Sequence, residues 1–79
     1  MKITLRQDKE TGQIFMFGRN KANKWPFWCF SLIGGHSDAS ADYYYNETKP
    51  LNDLDNLDVA LMLDIYKRNG GKFKIVKKL

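Results

Sequence analysis

The sequence predicts a small α+β fold in which an antiparallel sheet packs on one helix, in the order β-β-β-α-β. Three observations lead to this prediction. Residues 1–33 carry short apolar runs separated by turn residues, residues 52–68 repeat apolar side chains at helical spacing, and residues 72–79 alternate again. A length of 79 residues with 43% hydrophobic and 28% charged side chains fits one globular domain, residues 1–79.

A hairpin is predicted at the start of the chain. Ile3 and Leu5 alternate with polar neighbours, which is typical of a strand with one solvated face. Residues 9–12 supply the turn, and Gly12 stands where a positive φ is expected. The return strand, residues 13–18, is apolar at odd and even positions, so we expect it to be apolar on both faces of the sheet.

A third strand is predicted over about residues 24–33, after a polar turn at residues 20–23. It is again apolar on both faces. Pro26, near its start, fits the beginning or the edge of a strand because proline has no amide hydrogen to donate.

The segment between this strand and the helix has a weaker pattern. Gly34 and Gly35 end the strand, and residues 36–41 are expected to form a loop of small residues. The three tyrosines at positions 43–45 are expected to form either a short fourth strand or an aromatic flap.

One helix is predicted, with Asn52 or Asp53 as its cap and residues 67–68 as its cationic last turn. Glycines at positions 70–71 end it. The apolar stripe expected to face the core comprises Leu54, Leu57, Ala60, Leu61 and Ile65. A last strand follows near residues 73–76, at the edge or in the centre of the sheet.

The sheet is predicted to have more apolar surface than one helix covers. A helix covers one face, whereas the second and third strands are apolar on both, and nine of the eleven aromatic residues lie between residues 15 and 45. Three coverings for the second face remain open: the tyrosine segment folded back, a second copy of the chain, or a different macromolecule.

Catalytic and metal-binding chemistry is not indicated. The single cysteine, Cys29, is interpreted as a packing residue, and His36, Ser37 and Asp38 as loop residues, because three consecutive residues do not align as a hydrolytic triad. One histidine and one cysteine do not complete a structural zinc site, and the paired glycines match no phosphate loop. We therefore expect no enzyme, no metal and no cofactor.

The cellular location is also predicted from the composition of the sequence. One cysteine and no apolar run of signal-peptide or membrane-spanning length predict a cytoplasmic protein that does not bind a membrane.

Charge is distributed in three blocks along the chain. Residues 1–36 carry six basic and two acidic groups, residues 37–66 carry one and seven, and residues 67–79 carry six and none, which gives the net charge of +4. Such a pattern produces local fields that steer charged partners.

These features predict binding without catalysis. The first hypothesis is a protein-binding inhibitor or adaptor, or a homodimer, that docks through an aromatic and basic sheet face. The alternative is a nucleic-acid-binding protein, in which bases stack on that face while lysines, including those at 72, 74, 77 and 78, contact phosphates. The candidate binding residues are Arg19, Lys21, Lys24, Trp25, Phe27, Tyr43 and Tyr45.

The sequence assigns different effects to the two groups of apolar residues. Trp25→Ala or Phe27→Ala should weaken association with little loss of stability, whereas Leu57→Ala or Leu61→Ala should each lower the free energy of unfolding by about 2–5 kcal/mol. Salt separates the two hypotheses, because a nucleic-acid binder loses affinity steeply between about 50 and 200 mM salt.

Overall fold

A computed structural model describes residues 1–22, 24–68 and 70–79. Within these residues the chain forms six strands, one α-helix (α1, Leu57–Arg68) and a π-helical turn (Tyr43–Glu47) that we call the tyrosine segment. The predicted α+β fold is confirmed. The strands are β1 (Lys2–Asp8), β2 (Ile14–Arg19), β3 (Phe27–Ser31), β4 (Gly35–Ala39), β5 (Thr48–Pro50) and β6 (Lys74–Ile75).

The strand order across the sheet is β4-β3-β2-β1-β5, with antiparallel pairing throughout. The last strand, β6, pairs with the beginning of β1 and runs parallel to it. Because β2 occupies one side of β1, β5 and β6 share the other side. The last strand is therefore a short edge strand, and its parallel direction departs from the purely antiparallel sheet that was predicted.

The first hairpin forms as predicted. The main-chain amides of Glu10 and Thr11 both donate to Asp8 Oδ1 at 2.8 Å, and Gly12 has a φ of +77°. A carboxylate that accepts amides of the following turn stabilises that turn, and glycine tolerates its left-handed residue without strain.

The fourth strand corrects the prediction of a loop at residues 36–41. Residues of β4 pair with β3, with Cys29 opposite Ser37 and Phe30 opposite His36. Small polar residues have low strand propensity, but pairing along a neighbouring strand overrides local preference.

The third strand is shorter than predicted. It begins at Phe27, because residues before it lie in a loop closed by a hydrogen bond from Asn20 N to Pro26 O at 3.0 Å. The predicted polar turn at 20–23 includes Asn23, which lies outside the described residues.

The helix begins later than predicted. Its cap is Asn56, whose side-chain Oδ1 accepts the amide of Asp58 at 2.7 Å, so the prediction of Asn52 or Asp53 as the cap is wrong. Gly70 has a φ of +82° and its amide donates to Lys67 O, which confirms this glycine as a stop signal.

The predicted buried stripe of the helix is also wrong. Val59 and Met62 are buried at 1% and 0% exposure, whereas Leu57 and Leu61 are 85% and 51% exposed. Leu63 and Tyr66 complete the inner face. Residues 59, 62, 63 and 66 repeat at the same three- and four-residue spacing as the predicted stripe, so spacing alone does not identify which of two apolar stripes is buried.

The two faces of β2 pack into separate cores. Ile14 and Met16 join α1 on the first face, where Tyr66 stacks on Trp28 with ring centroids 5.7 Å apart. Phe17 joins the second core, which also contains Phe27, Cys29, Ala39 and Tyr44. The predicted two-faced apolar strand is thus confirmed.

The tyrosine segment covers the second face, which is the first of the three coverings left open by the sequence. Tyr44 is fully buried, stacks on Phe27 at 4.3 Å and meets Phe17 edge-on at 5.1 Å. The segment is therefore a folded-back cover rather than a strand.

A buried arginine fastens this cover to β1. Arg6 is 8% exposed, and its Nε and Nη2 donate to the Oγ1 and the carbonyl of Thr48 at 2.7 and 2.8 Å. Its guanidinium lies 4.5 Å from the ring centroid of Tyr44, whose carbonyl accepts the Thr48 hydroxyl. A buried cation held by hydrogen bonds and an aromatic face fixes the segment against the sheet.

The correction to the helix changes the expected mutational effects. Met62→Ala should lower the free energy of unfolding by about 2–5 kcal/mol, because a fully buried side chain is removed. Ile33→Ala, at an 86% exposed position, should change it by less than about 0.5 kcal/mol. Urea unfolding followed by circular dichroism measures both; equal losses would contradict the assignment of the buried face.

Candidate functional site

Two grooves flank the buried core formed by Phe17, Phe27 and Tyr44 on the second face of the sheet. One is basic and lies at the end of the sheet where β1 begins. The other is aromatic and lies over β3 and β4. Both remain accessible beside the tyrosine segment.

The basic groove is built by strand register. Thr4 pairs with Phe17, so continuing this register by two residues places Lys2 opposite Arg19. On its other side Lys2 pairs with Lys74 of β6. Three cations therefore stand side by side on one face, on strands about 4.8 Å apart. Like charges directly opposite each other are destabilising, and a bound anion relieves that repulsion.

Further cations and a main-chain contact complete the basic groove. Lys21 and Lys78 line it beside Lys2 and Arg19. Arg19 Nε and Nη2 donate to the main-chain oxygen of Leu79 at 3.1 and 2.6 Å. Residues 1–2, 19–21 and 78–79, which are distant in the sequence, are thereby brought together at one site.

The aromatic groove has an apolar floor and aromatic walls. Cys29 and Ala39 contribute to the floor, and Phe15, Trp25 and Tyr43 to the walls. Trp25 is 43% exposed, and Lys24 Nζ lies 5.8 Å from its ring centroid. A flat aromatic surface with a cation above it suits the stacking of planar, electron-rich groups.

The predicted binding residues are divided by the fold. Arg19 and Lys21 lie at the basic groove, and Trp25 and Tyr43 at the aromatic groove, so four of the candidates surround the same core. A hydrogen bond connects the two grooves, because Asn20, at the basic groove, donates from Nδ2 to the carbonyl of Trp25 at 2.9 Å.

Three candidates do not line either groove. Lys24 is one of them, although its Nζ lies 5.8 Å from the ring centroid of Trp25. Phe27 is 1% exposed beneath Tyr44, so its prediction as a docking residue is corrected: it is a core residue. Tyr45 is 48% exposed and meets the ring of Phe27 edge-on at 6.2 Å, which places it on the outside of the tyrosine segment.

Sequence reasoning missed Lys2 and Phe15 as site residues. The signal for Lys2 was present in the hairpin, because a tight turn at residues 9–12 fixes which residues of the two strands face each other. Phe15 was assigned to an apolar face but not to a groove, since the position of the cover was unknown.

Cys29 and His36 do not form a catalytic pair in this fold. Cys29 belongs to the second core, whereas His36 lies against Trp28 and Tyr66 on the helix side of the sheet. Burial, and secondarily the charge of Asp38, raises the pKa of the Cys29 thiol. A buried thiol with a raised pKa is a poor nucleophile, which agrees with its interpretation as a packing residue.

A carboxylate and a phenol are hydrogen-bonded on the second face, at the end of the sheet opposite the basic groove. Tyr43 Oη donates to Asp8 Oδ2 at 2.6 Å. The pKa of Asp8 is lowered to about 2, mainly by this hydrogen bond and next by the hydrogen bonds from the main-chain amides of Thr11 and Glu10. Burial, and then the bond to Asp8, raises the pKa of Tyr43.

The helix-start acid lies away from the basic groove. Asp58 borders a cleft with Gly12 and Ile33, which belong to the β1–β2 and β3–β4 turns at the other end of the sheet. Near the basic end, Asp38 accepts a hydrogen bond from Asn20 Nδ2 at 3.1 Å and pairs with Trp28 on the helix side. No acidic residue of the middle block lines the basic groove, although Asp38 borders the aromatic groove.

Comparison of the chain with protein-family models, with curated proteins and with solved structures found no match. Within residues 1–22, 24–68 and 70–79, no group of His, Cys, Asp and Glu side chains is arranged to hold a metal ion. In the same residues, no helix combines the length and the apolar character needed to pass through a bilayer.

The bond between Tyr43 and Asp8 predicts a specific acid response. A carboxylate whose folded pKa lies below its unfolded value of 3.8 binds fewer protons when folded, so its stabilisation is lost as the pH falls toward about 2. Tyr43→Phe removes the largest cause of the lowered pKa. As the pH falls from 3.8 to about 2, we expect the free energy of unfolding of Tyr43→Phe to decrease less than that of the unmodified chain.

Tyr45→Phe, which changes an exposed tyrosine of the same segment, is the matched control and should behave like the unmodified chain. Urea unfolding at several pH values measures the free energy of unfolding of all three chains, and NMR titration measures the pKa of the Asp8 carboxyl directly. Identical acid sensitivity of Tyr43→Phe and the unmodified chain would contradict the assignment.

Proposed function

We propose that the protein is a non-catalytic module that binds single-stranded nucleic acid, with phosphates in the basic groove and a base stacked at Trp25. The observation that carries the proposal is the convergence of Lys2, Arg19, Lys21 and Lys78 at one groove. Chain segments that are distant in the sequence supply these cations, and none of the described residues that line the basic groove is an aspartate or a glutamate.

Two properties favour nucleic acid over the protein partner of the first hypothesis. Protein interfaces are depleted in lysine and depend on buried aromatic anchors, whereas phosphate binding needs only accessible cations. Here three of the four cations that line the groove are lysines, and the aromatic anchors Phe17, Phe27 and Tyr44 are enclosed. The exposed ring of Trp25 adds the stacking surface that single strands use.

The acidic block of residues 37–66 would repel phosphates if its side chains lined the basic groove. Asp58 stands by the turns at the opposite end, and the charged side chains that line the basic groove are those of lysine and arginine, whereas Asp38 borders the aromatic groove. A cytoplasmic location, expected from the sequence, belongs to the same proposal because nucleic acid is present there.

Binding of a fluorescent single-stranded oligonucleotide of about 12 nucleotides should be strongly dependent on salt. With about four phosphate contacts, the slope of log K against log salt is about −3, so affinity falls roughly 50-fold between about 50 and 200 mM salt. Fluorescence anisotropy with DNA and RNA versions of the oligonucleotide measures this directly.

A pair of double variants locates the site. Lys2→Gln with Lys21→Gln should reduce the slope by about 1.4, because two phosphate contacts are lost. Lys9→Gln with Lys49→Gln changes the same amount of charge at exposed positions away from the groove and should leave the slope nearly unchanged. Trp25→Ala should weaken binding by roughly tenfold at every salt concentration, since stacking is not ionic.

Two results would overturn the proposal. Equal effects of the two lysine pairs would show that binding follows net charge and not the groove. Failure of DNA and RNA to bind at low salt, together with binding of an acidic polypeptide such as polyglutamate, would return the site to the protein-binding hypothesis.

A further inference from the structure

One lateral edge of the sheet is formed by β4. Among the described strands, β4 pairs with β3 alone and stands at the end of the order β4-β3-β2-β1-β5. An edge strand presents a row of main-chain N–H and C=O groups with which another strand can pair. The three central residues of β4, His36, Ser37 and Asp38, are exposed.

The opposite edge of the sheet has features that prevent pairing, whereas β4 lacks them. Strands β5 and β6 at that edge are three and two residues long and contain Lys49, Pro50 and Lys74. Short strands, proline and lysine are means by which proteins block an edge. Strand β4 has five residues, Gly35–Ala39, none of which is proline, lysine or arginine. It is therefore the edge at which a further strand can be added.

We propose that β4 is the interface of a homodimer in which the β4 strands of two copies pair antiparallel about a two-fold axis at Ser37. The two sheets then form one continuous sheet. Each residue before Ser37 faces the residue at the same distance after Ser37 in the second copy. All five residues of β4 are paired only in this register, which sets Gly35 opposite Ala39 and His36 opposite Asp38.

Charge complementarity identifies a second copy as the occupant. His36 pairs with Phe30 and Asp38 with Trp28, and both aromatic residues pack against the helix-side core, so the two β4 side chains share one face of the sheet. Residues directly opposite in an antiparallel pair have Cβ atoms about 5 Å apart. The register therefore places an imidazole beside a carboxylate twice, once on each side of the axis.

These two contacts are favourable, because an imidazole N–H donates a hydrogen bond to a carboxylate and a protonated ring attracts it further. A strand complementary to β4 needs an acid opposite His36 and a hydrogen-bond donor opposite Asp38. An antiparallel copy of β4 presents its side chains in this order, which is the self-complementarity that a two-fold axis requires.

The covers of the sheet leave this edge open. Helix α1 packs on the first face and the tyrosine segment on the second, so neither lies in the plane of the sheet beside β4. The chain that follows β4 turns onto the second face, where the amide of Tyr44 donates to Ser40 O at 3.1 Å. Because the opposite edge is blocked, pairing ends at two copies and does not continue into a filament.

This inference goes beyond the proposed binding of nucleic acid and does not depend on it. The pairing uses the main chain of β4, and not the cations of the basic groove or the ring of Trp25. The dimer is measured without nucleic acid, so either proposal can fail without the other.

Sedimentation equilibrium of the full chain over a range of concentrations tests the interface. The apparent mass should rise from 9.2 kDa toward twice this value. His36→Glu sets two acids opposite each other, and Asp38→Lys sets a lysine opposite His36, so each should raise the dissociation constant roughly tenfold. An equal mixture of the two variants should associate at least as tightly as the unmodified chain, because glutamate then faces lysine and Asp38 faces His36.

Two variants in the β1–β2 turn are the matched controls. Lys9→Glu and Glu10→Lys change charge in the same two directions at exposed positions, and each should dimerise like the unmodified chain. Circular dichroism should show the same folded spectrum for all four variants, since the changed side chains are exposed.

A cysteine at the axis tests the register. In Ser37→Cys the new thiol faces its own copy, so mild oxidation should give a disulfide-linked dimer much faster than it does for Glu10→Cys. A mass that stays at 9.2 kDa at the highest attainable concentration overturns the dimer. Equal effects of the β4 and turn variants, a mixture that does not regain association, or equal rates of the two cysteine variants overturns this interface.

Discussion

Covering both apolar faces of β2 is the constraint on which the rest of the structure depends. Met16 on one face and Phe17 on the other are fully buried, although a single helix is long enough to cover only one side. The tyrosine segment supplies the second cover, and Arg6 secures it through Thr48 and the ring of Tyr44. A chain of this size forms two small cores on one sheet by using a short irregular segment as its second layer.

This arrangement determines which surfaces remain for binding. Closing Tyr44 over Phe27 removes the centre of the aromatic face from solvent, so what stays accessible is its margin. One margin has cations aligned by strand register, and the other has the ring of Trp25. The open edge of β4 adds a third surface of different chemistry.

The sequence predicted the elements better than their partners. Alternation identified β1, a continuous apolar run identified β2, and Gly12 and Gly70 marked the turn and the helix end, because these signals are local. The buried side of α1 was wrong, since Leu57–Leu61 and Val59–Met62 have equivalent spacing and only the sheet decides between them. Lys2 was missed although the hairpin register places it opposite Arg19, and its second neighbour, Lys74, comes from the distant strand β6. Strand β4 was missed because neighbouring backbone, and not side-chain propensity, holds its small polar residues in place.

The parallel pairing of β6 has a consequence for the order of folding. Strands β1 and β2 are adjacent in the sequence and can pair early. Pairing of Ile3 with Ile75 instead joins residues that are far apart in the sequence. Contacts between such distant positions carry a large loop-closure entropy and slow the acquisition of native structure. Until β6 arrives, the first half of β1 exposes an unpaired main-chain edge, the type of surface through which chains aggregate. The lysines at positions 2 and 74 stand beside that edge, and their repulsion of other basic chains protects the unfinished sheet.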